Sequence, residues 1–379
     1  MDVCELAPGY VRAIAPYQPG KPLSELEREL GIRNAIKLAP NENPLGPSPK
    51  ALAALKKALS EINRYPDGNG FALKAALARH HSLDSAQIVL GNGSNDVIEL
   101  AGRAFLARGS CAVYAQHAFA VYPLVVQACG ARGREIPATN YAHNPAAMLK
   151  AIDRTTRMVF IANPNNPTGT LLSATALLDF LQRASRQVLV ILDEAYVDYV
   201  SPALRGNSVD WLRRFPNLVI TRTFSKAYGL AGLRVGYAMA SRGVAEMLNR
   251  VRQPFNVNHL AQVAAIAALG DRAFIKRSYD TNETGMAQIT QGLNRLGLDY
   301  LPSQTNFVSF RSGSTAAVYH SLLRQGVIVR PIDSYGMPDF LRVTVGKKTE
   351  NARFLRALKN ALDEQSIGER SSVSARRPV

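Results

Sequence analysis

The sequence lacks the features of a disulfide-stabilised or membrane-spanning protein. Only three cysteines, Cys4, Cys111 and Cys129, occur in 379 residues, too few and too scattered for a disulfide framework or a zinc site, and we expect no metal. No apolar run reaches the roughly 18 residues that a membrane-spanning helix needs. The N-terminus has no basic segment followed by an apolar block, so we expect no signal peptide and a cytoplasmic protein.

Acidic residues are scarce relative to basic ones. The chain has 29 Asp and Glu against 45 Lys and Arg, a formal net charge of +16. The basic residues form no run of five and do not interleave with aromatic residues, which disfavours a nucleic-acid-binding protein. We interpret the charge as a solvated basic surface whose field attracts small anionic substrates. A nucleic-acid-binding protein, the alternative, would show a steep salt dependence of binding.

The apolar content is sufficient for a large core. Hydrophobic residues make up 47% of the chain, and the length suggests two or three domains. Short apolar runs that predict strands alternate with helical patterns; they are 87–91, 111–115, 157–162, 187–193, 217–223 and 235–240. This alternation predicts an α/β fold with a mostly parallel sheet covered by helices on both faces. Ligands of such sheets bind beyond the carboxyl ends of the strands.

The pattern changes along the chain and predicts four segments. Residues 1–36 have the character of an arm, and residues 37–270 form the large domain with the parallel sheet. Residues 271–366 begin with a long amphipathic helix and continue with three strands and a further helix, as in a smaller α+β domain. The polar residues 367–379 predict a disordered tail.

Two charged residues follow predicted buried strands. Lys226 lies in "FSKAYG", just after the strand 217–223. Burial there lowers the pKa of a lysine and makes its amine a nucleophile toward a cofactor aldehyde, although a single lysine is weak evidence. Asp193 ends the strand 187–193 and would pair with a protonated pyridine nitrogen, or would equally cap the next helix. Tyr196, three residues later, is suited to donate to a phenolate-like oxygen.

Two loops after other strands complete this pattern. "ANPNNPTG" is a rigid turn that offers Asn166 as a fixed amide donor, or is an ordinary loop. "GNGSNDVIEL" (91–100) leads from a strand into a helix, an arrangement that binds phosphate. Ser225 and Arg234 supply further phosphate ligands. Together these groups match pyridoxal 5′-phosphate (PLP), with its aldehyde, ring nitrogen, ring oxygen and phosphate.

Nearly the whole chain, about residues 10–365, resembles the class I/II aminotransferases of fold type I. Within them it is similar to histidinol-phosphate aminotransferases. The motifs that carry the resemblance are "YQPGKP", "LAPNENPLGPSP", "RYPDGNG", "GNGSNDVIEL", "ANPNNPTG", "DEAYVDY", "RTFSKAYGLAGLRVGY", "QPFNVN" and "FLRVTVG". The resemblance implies a large PLP-binding domain, a smaller C-terminal domain and a homodimer.

The resemblance also implies a role for each site residue. It implies that Lys226 forms the Schiff base with PLP and moves the proton, and that Asp193 pairs with the ring nitrogen. It implies that Tyr65 reaches the phosphate site of the neighbouring subunit. The other cofactor contacts that it implies are Asn166 and Tyr196 at the ring hydroxyl, Phe119 stacked on the ring, and Ser94, Asn95, Thr223, Ser225 and Arg234 at the phosphate.

Substrate choice rests on the charge of the substrate. The implied reaction is histidinol phosphate with 2-oxoglutarate, giving imidazole acetol phosphate and glutamate, in histidine biosynthesis. The resemblance implies that Arg342 binds the carboxylate of the amino acid. A dianionic phosphate needs further positive groups, of which Arg330 is the obvious one. Tyr17 and Asn43 would close the site. Each of the last three residues also has an ordinary structural interpretation, as a rim, packing or turn residue.

Other functions on this scaffold stay open. An aromatic or other amino-acid aminotransferase would share the cofactor residues and differ at the substrate rim. A decarboxylase of phosphothreonine-like substrates is a further enzyme of the same type. A PLP-binding regulator without turnover would need a DNA-binding domain, and residues 1–36 are too short and too rich in proline for one.

Overall fold

A computed structural model of the chain describes residues 2–16 and 20–374. The α-helices are α1 (Gly9–Arg12), α2 (Leu23–Leu30), α3 (Pro49–Ala58), α4 (Phe71–His81), α5 (Ser94–Phe105), α6 (Val121–Ala128), α7 (Pro145–Lys150), α8 (Ala174–Arg183), α9 (Ser208–Trp211), α10 (Arg242–Arg250), α11 (His259–Leu269), α12 (Arg272–Arg295), α13 (Thr315–Arg324) and α14 (Lys348–Ser374). The strands are β1 (Ile36–Lys37), β2 (Ile88–Gly91), β3 (Cys111–Ala115), β4 (Arg132–Ile136), β5 (Thr156–Ala162), β6 (Leu189–Asp193), β7 (Leu218–Thr223), β8 (Gly236–Ala240), β9 (Phe307–Arg311), β10 (Val327–Ile328), β11 (Arg330–Pro331) and β12 (Phe340–Thr344).

Seven strands form the central sheet, in the order β2-β8-β7-β6-β5-β3-β4. β8 is antiparallel to both of its neighbours, and the remaining pairs are parallel. This confirms the predicted α/β fold. β4 was not predicted, because its sequence "RGREI" is charged and mostly exposed at the edge of the sheet. Charged residues protect such an edge from pairing with another chain.

The sheet is buried on both faces, which fixes where its strands end. Ile161 and Leu192 pack into one apolar layer with helices α4, α8 and α11. Their neighbours Phe160 and Ile191 pack into the opposite layer with α5, α6 and α10. Because β5, β6 and β7 are parallel, the residues that follow them lie at one edge of the sheet.

The smaller part of the molecule contains the antiparallel sheet β11-β12-β9 and helices α12 to α14. The N-terminal segment packs on this part. β1 pairs in parallel with β10, and Leu38 lies in the same apolar cluster as Phe310 and Phe354. We predicted that the large domain begins at residue 37, but residues 36–38 join the smaller part. A two-residue strand is too short to show a period in the sequence.

The last helix is longer than the sequence suggested. We predicted a disordered tail from residue 367, whereas α14 continues to Ser374. Propagation of a helix from an anchored turn is easier than its nucleation, so a polar extension can stay helical. Residues 375–379 lie outside the described residues. Within the described part of the chain, no helix combines the length and apolar character needed to cross a bilayer.

Candidate active site

A cavity of about 920 Å³, including space open to solvent, lies at the carboxyl edge of the central sheet. The structure brings together here most of the residues that the sequence singled out. Those that line this strand-end cavity are Ser94, Asn95, Phe119, Asn166, Asp193, Tyr196, Thr223, Ser225, Lys226, Arg234, Arg330 and Arg342.

Lys226 lies three residues beyond the end of β7. Its Nζ donates a hydrogen bond to the carbonyl oxygen of Pro40 at 3.2 Å and lies 5.5 Å from the ring centre of Tyr196. Burial, followed by the positive charge of Arg342, lowers the pKa of Lys226 to about 7. A large fraction of the amine is therefore neutral, and so nucleophilic, near neutral pH.

Asp193 is the last residue of β6 and is buried, with 5% of its surface exposed. Its carboxylate accepts hydrogen bonds from the hydroxyls of Tyr122 at 2.9 Å and Thr221 at 3.0 Å. Burial raises the pKa of Asp193 above its usual range. A buried carboxylate at a cavity wall is a suitable partner for a cationic ring nitrogen, which would stabilise its charged form.

Tyr196 and Asn166 present polar groups to the same cavity. The hydroxyl of the buried Tyr196 accepts a hydrogen bond from Nδ2 of Asn41 at 2.9 Å, and burial raises the pKa of Tyr196 to about 12. The hydroxyl of Tyr196 therefore stays protonated near neutral pH and can donate a hydrogen bond. The side-chain oxygen of Asn166 accepts a hydrogen bond from Arg342, which leaves the Asn166 amide N–H group to donate.

Another part of the cavity wall has the character of an anion site. Helix α5 begins at Ser94, directly after Gly93, whose φ is +86°. The first N–H groups of a helix have no partner within the helix and bind anions. A Cβ atom on Gly93 would lie 2.5 Å from Nη2 of Arg234. Because the φ of Gly93 is positive, any other residue at this position would be strained. Arg234 also donates to Oγ of Ser225 at 3.3 Å.

Two arginines of the small sheet reach the cavity together. Arg330 on β11 lies directly opposite Arg342 on β12 in an antiparallel pair. Arg342 is buried and donates to the carbonyl oxygen of Ala39 at 2.7 Å. Like charges directly opposite each other are unfavourable. An anion between these guanidinium groups would offset the repulsion.

Two of the predicted residues that the structure describes, Tyr65 and Asn43, do not line the cavity. Tyr65 is 83% exposed, and its ring stacks on Phe255 with 4.8 Å between centres. Asn43 was predicted to contact substrate, but its amide donates to the Ala227 carbonyl at 2.8 Å and to Ser278 Oγ at 2.9 Å. Asn43 therefore joins the N-terminal segment to the chain after Lys226. Tyr17 lies outside the described residues.

The sequence reasoning missed several residues of the site. Asn41, which lines the cavity, lies in the motif "LAPNENPLGPSP", two residues before Asn43. Tyr335 also lines the cavity, from a short 3-10 helix with no pattern in the sequence. Tyr122, which donates a hydrogen bond to Asp193, lies three residues after Phe119 in the stretch "HAFAVY" (117–122). Only its spacing within that motif could have indicated it.

A doubly covered parallel sheet with a lysine and a carboxylate at its strand ends defines the fold-type I PLP-dependent transferases. The donor set fits that cofactor, since one cavity contains a nucleophilic amine, a buried carboxylate and an anion site. The chain matches the model of the family "Aminotransferase class I and II" over residues 33–358 and belongs to that family.

The relatives of the chain share the name of one enzyme within this family. The chain is 60% identical to "Histidinol-phosphate aminotransferase 2" of Nitrosospira multiformis over 96% of this chain and 93% of the relative. It is also 60% identical to "Histidinol-phosphate aminotransferase" of Methylobacillus flagellatus, over 94% of this chain and 98% of the relative.

A solved structure shows the same fold. The histidinol-phosphate aminotransferase of Sinorhizobium meliloti in complex with pyridoxal-5′-phosphate superposes with a TM-score of 0.88, at 28% identity, over 95% of this chain and 98% of that chain.

Proposed function

We propose that the chain transfers the amino group of histidinol phosphate to 2-oxoglutarate, giving imidazole acetol phosphate and glutamate, as a step of histidine biosynthesis. The names of its relatives at 60% identity support this proposal. The observation that carries it is the pair Arg330 and Arg342, directly opposite each other at one cavity. The cytoplasmic location expected from the sequence stays a prediction.

The charge of the substrate explains why two arginines are needed. A phosphate ester is a dianion near neutral pH, and one guanidinium group would leave it under-paired in a partly closed site. Glutamate presents a single carboxylate to the same position, which Arg342 alone can pair. One cavity can then serve both substrates in turn, with Arg330 adding affinity for the phosphorylated one.

The roles of the chemical groups follow from their positions. PLP, when bound, supplies an aldehyde carbon for the substrate amine and a ring that makes the Cα proton acidic. We propose that Lys226 Nζ holds the cofactor and, once released, removes the Cα proton. Asp193 would keep the ring nitrogen protonated. The other proposed contacts are Asn166 and Tyr196 at the ring hydroxyl, Phe119 on the ring face, and Ser94, Asn95, Thr223, Ser225 and Arg234 at the phosphate.

We propose further that the active unit is a homodimer in which Tyr65 reaches the partner's phosphate site. The stacked rings of Tyr65 and Phe255 support this, since both are exposed. Leu59, Ile62 and Phe71 are also exposed large apolar residues, near Tyr65 in the sequence. Exposed apolar groups of this kind mark interaction surfaces.

The proposed activity is tested by comparing histidinol phosphate with histidinol, which differs only in lacking the phosphate. We expect kcat/KM for histidinol phosphate, with 2-oxoglutarate as acceptor, to exceed that for histidinol by several orders of magnitude. Phenylalanine and tyrosine should also be poor donors. Comparable values for histidinol and histidinol phosphate would show that the two arginines do not select a phosphate.

A further inference from the structure

Tyr122 contacts the candidate catalytic carboxylate from behind the cavity. Its hydroxyl donates to Oδ2 of Asp193 at 2.9 Å, and the side chain is fully buried. It does not line the cavity, so it touches neither substrate nor cofactor directly. Any effect of Tyr122 on the chemistry therefore has to pass through Asp193.

The position of the Tyr122 hydroxyl is fixed by two aromatic contacts. Its ring stacks on Phe160 with 4.7 Å between centres and an interplanar angle of 7°. The ring of Phe119 meets it edge-on at 5.9 Å and 86°. Phe119 lines the cavity. Tyr122 thus contacts both Phe119, whose ring is proposed to cover the cofactor, and Asp193, whose carboxylate is proposed to bind the ring nitrogen.

The hydrogen bonds that Asp193 accepts leave its carboxylate able to accept one more. A carboxylate has about four lone-pair sites. Oδ2 accepts from Tyr122, while Oδ1 accepts from Thr221 Oγ1 at 3.0 Å and from the backbone N–H of Ala195 at 3.3 Å. One site then remains, which is the number that a ring N–H group needs.

The surroundings of Asp193 work in opposite directions on its charge. Burial raises the pKa of Asp193 and the neighbouring Glu194 adds to this, whereas the three hydrogen-bond donors lower it. Lys226 is a cation in electrostatic contact with Asp193, and Tyr122 and Tyr196 are titratable groups in such contact. Hydrogen bonds to the ionised form are thus the main local opposition to the effect of burial.

We propose that Tyr122 is a positioning residue of the transaminase site, which keeps Asp193 ionised and directs its remaining lone pair toward the cofactor ring nitrogen. This rests on the proposed role of Asp193. It is independent of the identity of the phosphorylated substrate, because every substrate of the site uses the same ring.

The test is Tyr122→Phe, which removes the hydroxyl and keeps the ring between Phe160 and Phe119. We expect the acid limb of the pH profile, measured for the half-reaction with saturating glutamate, to move up by about one to two pH units. The dissociation constant of PLP should rise over the same range of pH. Tyr114→Phe is the matched control, a buried tyrosine of β3 without a hydrogen bond to Asp193, and should leave both unchanged.

A second variant keeps the test decisive if Tyr122→Phe folds poorly. Tyr122→3-fluorotyrosine retains ring and hydroxyl but is a stronger donor, so the acid limb should move to lower pH. Asp193→Asn is the reference for complete loss of the carboxylate and should abolish the limb. An unchanged limb in a Tyr122→Phe protein of normal thermal stability, or an unchanged limb in the fluorinated variant, would overturn the proposal. If the unaltered protein did not turn over histidinol phosphate but these pH profiles behaved as expected, the proposed substrate would be wrong and the proposed role of Tyr122 would stand.

Discussion

Arg342 donates a hydrogen bond to the side-chain oxygen of Asn166, which joins the small sheet to the loop after β5. The two residues have different proposed partners, the substrate anion for Arg342 and the cofactor ring hydroxyl for Asn166. Their contact fixes the orientation of the Asn166 amide, so its N–H group faces away from the arginine. Under these proposed roles, substrate binding and cofactor orientation would share one residue pair.

The arginine pair leads to the first prediction. Arg330→Ala should raise the activation free energy of the half-reaction with histidinol phosphate by roughly 2–5 kcal/mol, because the dianion loses one of two charged partners. The effect on the half-reaction with glutamate should be much smaller. Arg342→Ala should damage both half-reactions. Arg311→Ala is the control, since Arg311 lies in the same sheet and pairs with Asp339 at 3.0 Å. Single-turnover rates with each substrate measure the difference. Equal losses for the two substrates in Arg330→Ala would exclude it as a phosphate selector.

The shifted pKa of Lys226 leads to the second prediction. Because the neutral amine is the nucleophile and its pKa in the protein is about 7, the rate of covalent PLP attachment to the apoprotein should rise with pH through about 7 and level off above. An ordinary exposed lysine would show its rise near pH 10.4. Stopped-flow absorbance at visible wavelengths records the rate. A profile that still rises steeply between pH 9 and 10.4 would contradict the assignment.

The third prediction concerns the identity of the attachment site. Borohydride treatment of the PLP-loaded protein should fix the cofactor on Lys226, as peptide mass spectrometry would show. Lys226→Ala should still bind PLP through the other cavity groups but lose transamination almost entirely, since one amine both holds the cofactor and moves the proton. Lys50→Ala, which removes an exposed lysine on α3, is the control. Cofactor label on any other lysine would refute this role.

The fourth prediction tests whether Tyr65 acts across a dimer interface. Inactive Tyr65→Ala and Lys226→Ala proteins are mixed, dissociated and reassociated. If Tyr65 serves the partner's site, each mixed dimer regains one intact site, and about a quarter of all sites should be active. If Tyr65 serves its own chain, both sites of a mixed dimer stay defective and no activity returns. Size-exclusion chromatography with light scattering checks that dimers form.

Most of the residues that the sequence assigns to the cofactor line one cavity, and physical reasons explain this. Lys226 and Asp193 follow long apolar strands, and parallel strands bring such ends to one edge. The edge strand β4 was missed because a strand exposed at its edge carries no apolar run. The tail was predicted as disordered from composition, which does not register a helix continuing from an anchored one.

The substrate side was harder to predict because it depends on contacts between distant segments. Asn43 and Asn41 lie in the same motif, but only Asn41 lines the cavity, and that choice depends on how the N-terminal segment packs on the smaller part. Tyr335 and Tyr122 reach the site through folding alone, since neither lies in a motif that carries the resemblance. Local sequence shows what a residue can do, whereas tertiary packing decides which residue is near the cofactor.

The most direct test of the proposed function is a single-turnover half-reaction. The PLP-loaded protein is mixed with histidinol phosphate, and separately with phenylalanine and tyrosine at matched concentrations, while the visible absorbance of the bound cofactor is followed as it converts to the amine form. We predict that histidinol phosphate converts it at least about a hundredfold more efficiently than either aromatic amino acid, because only the phosphate engages both Arg330 and Arg342. Faster conversion by phenylalanine or tyrosine would contradict the proposal and identify an aromatic aminotransferase.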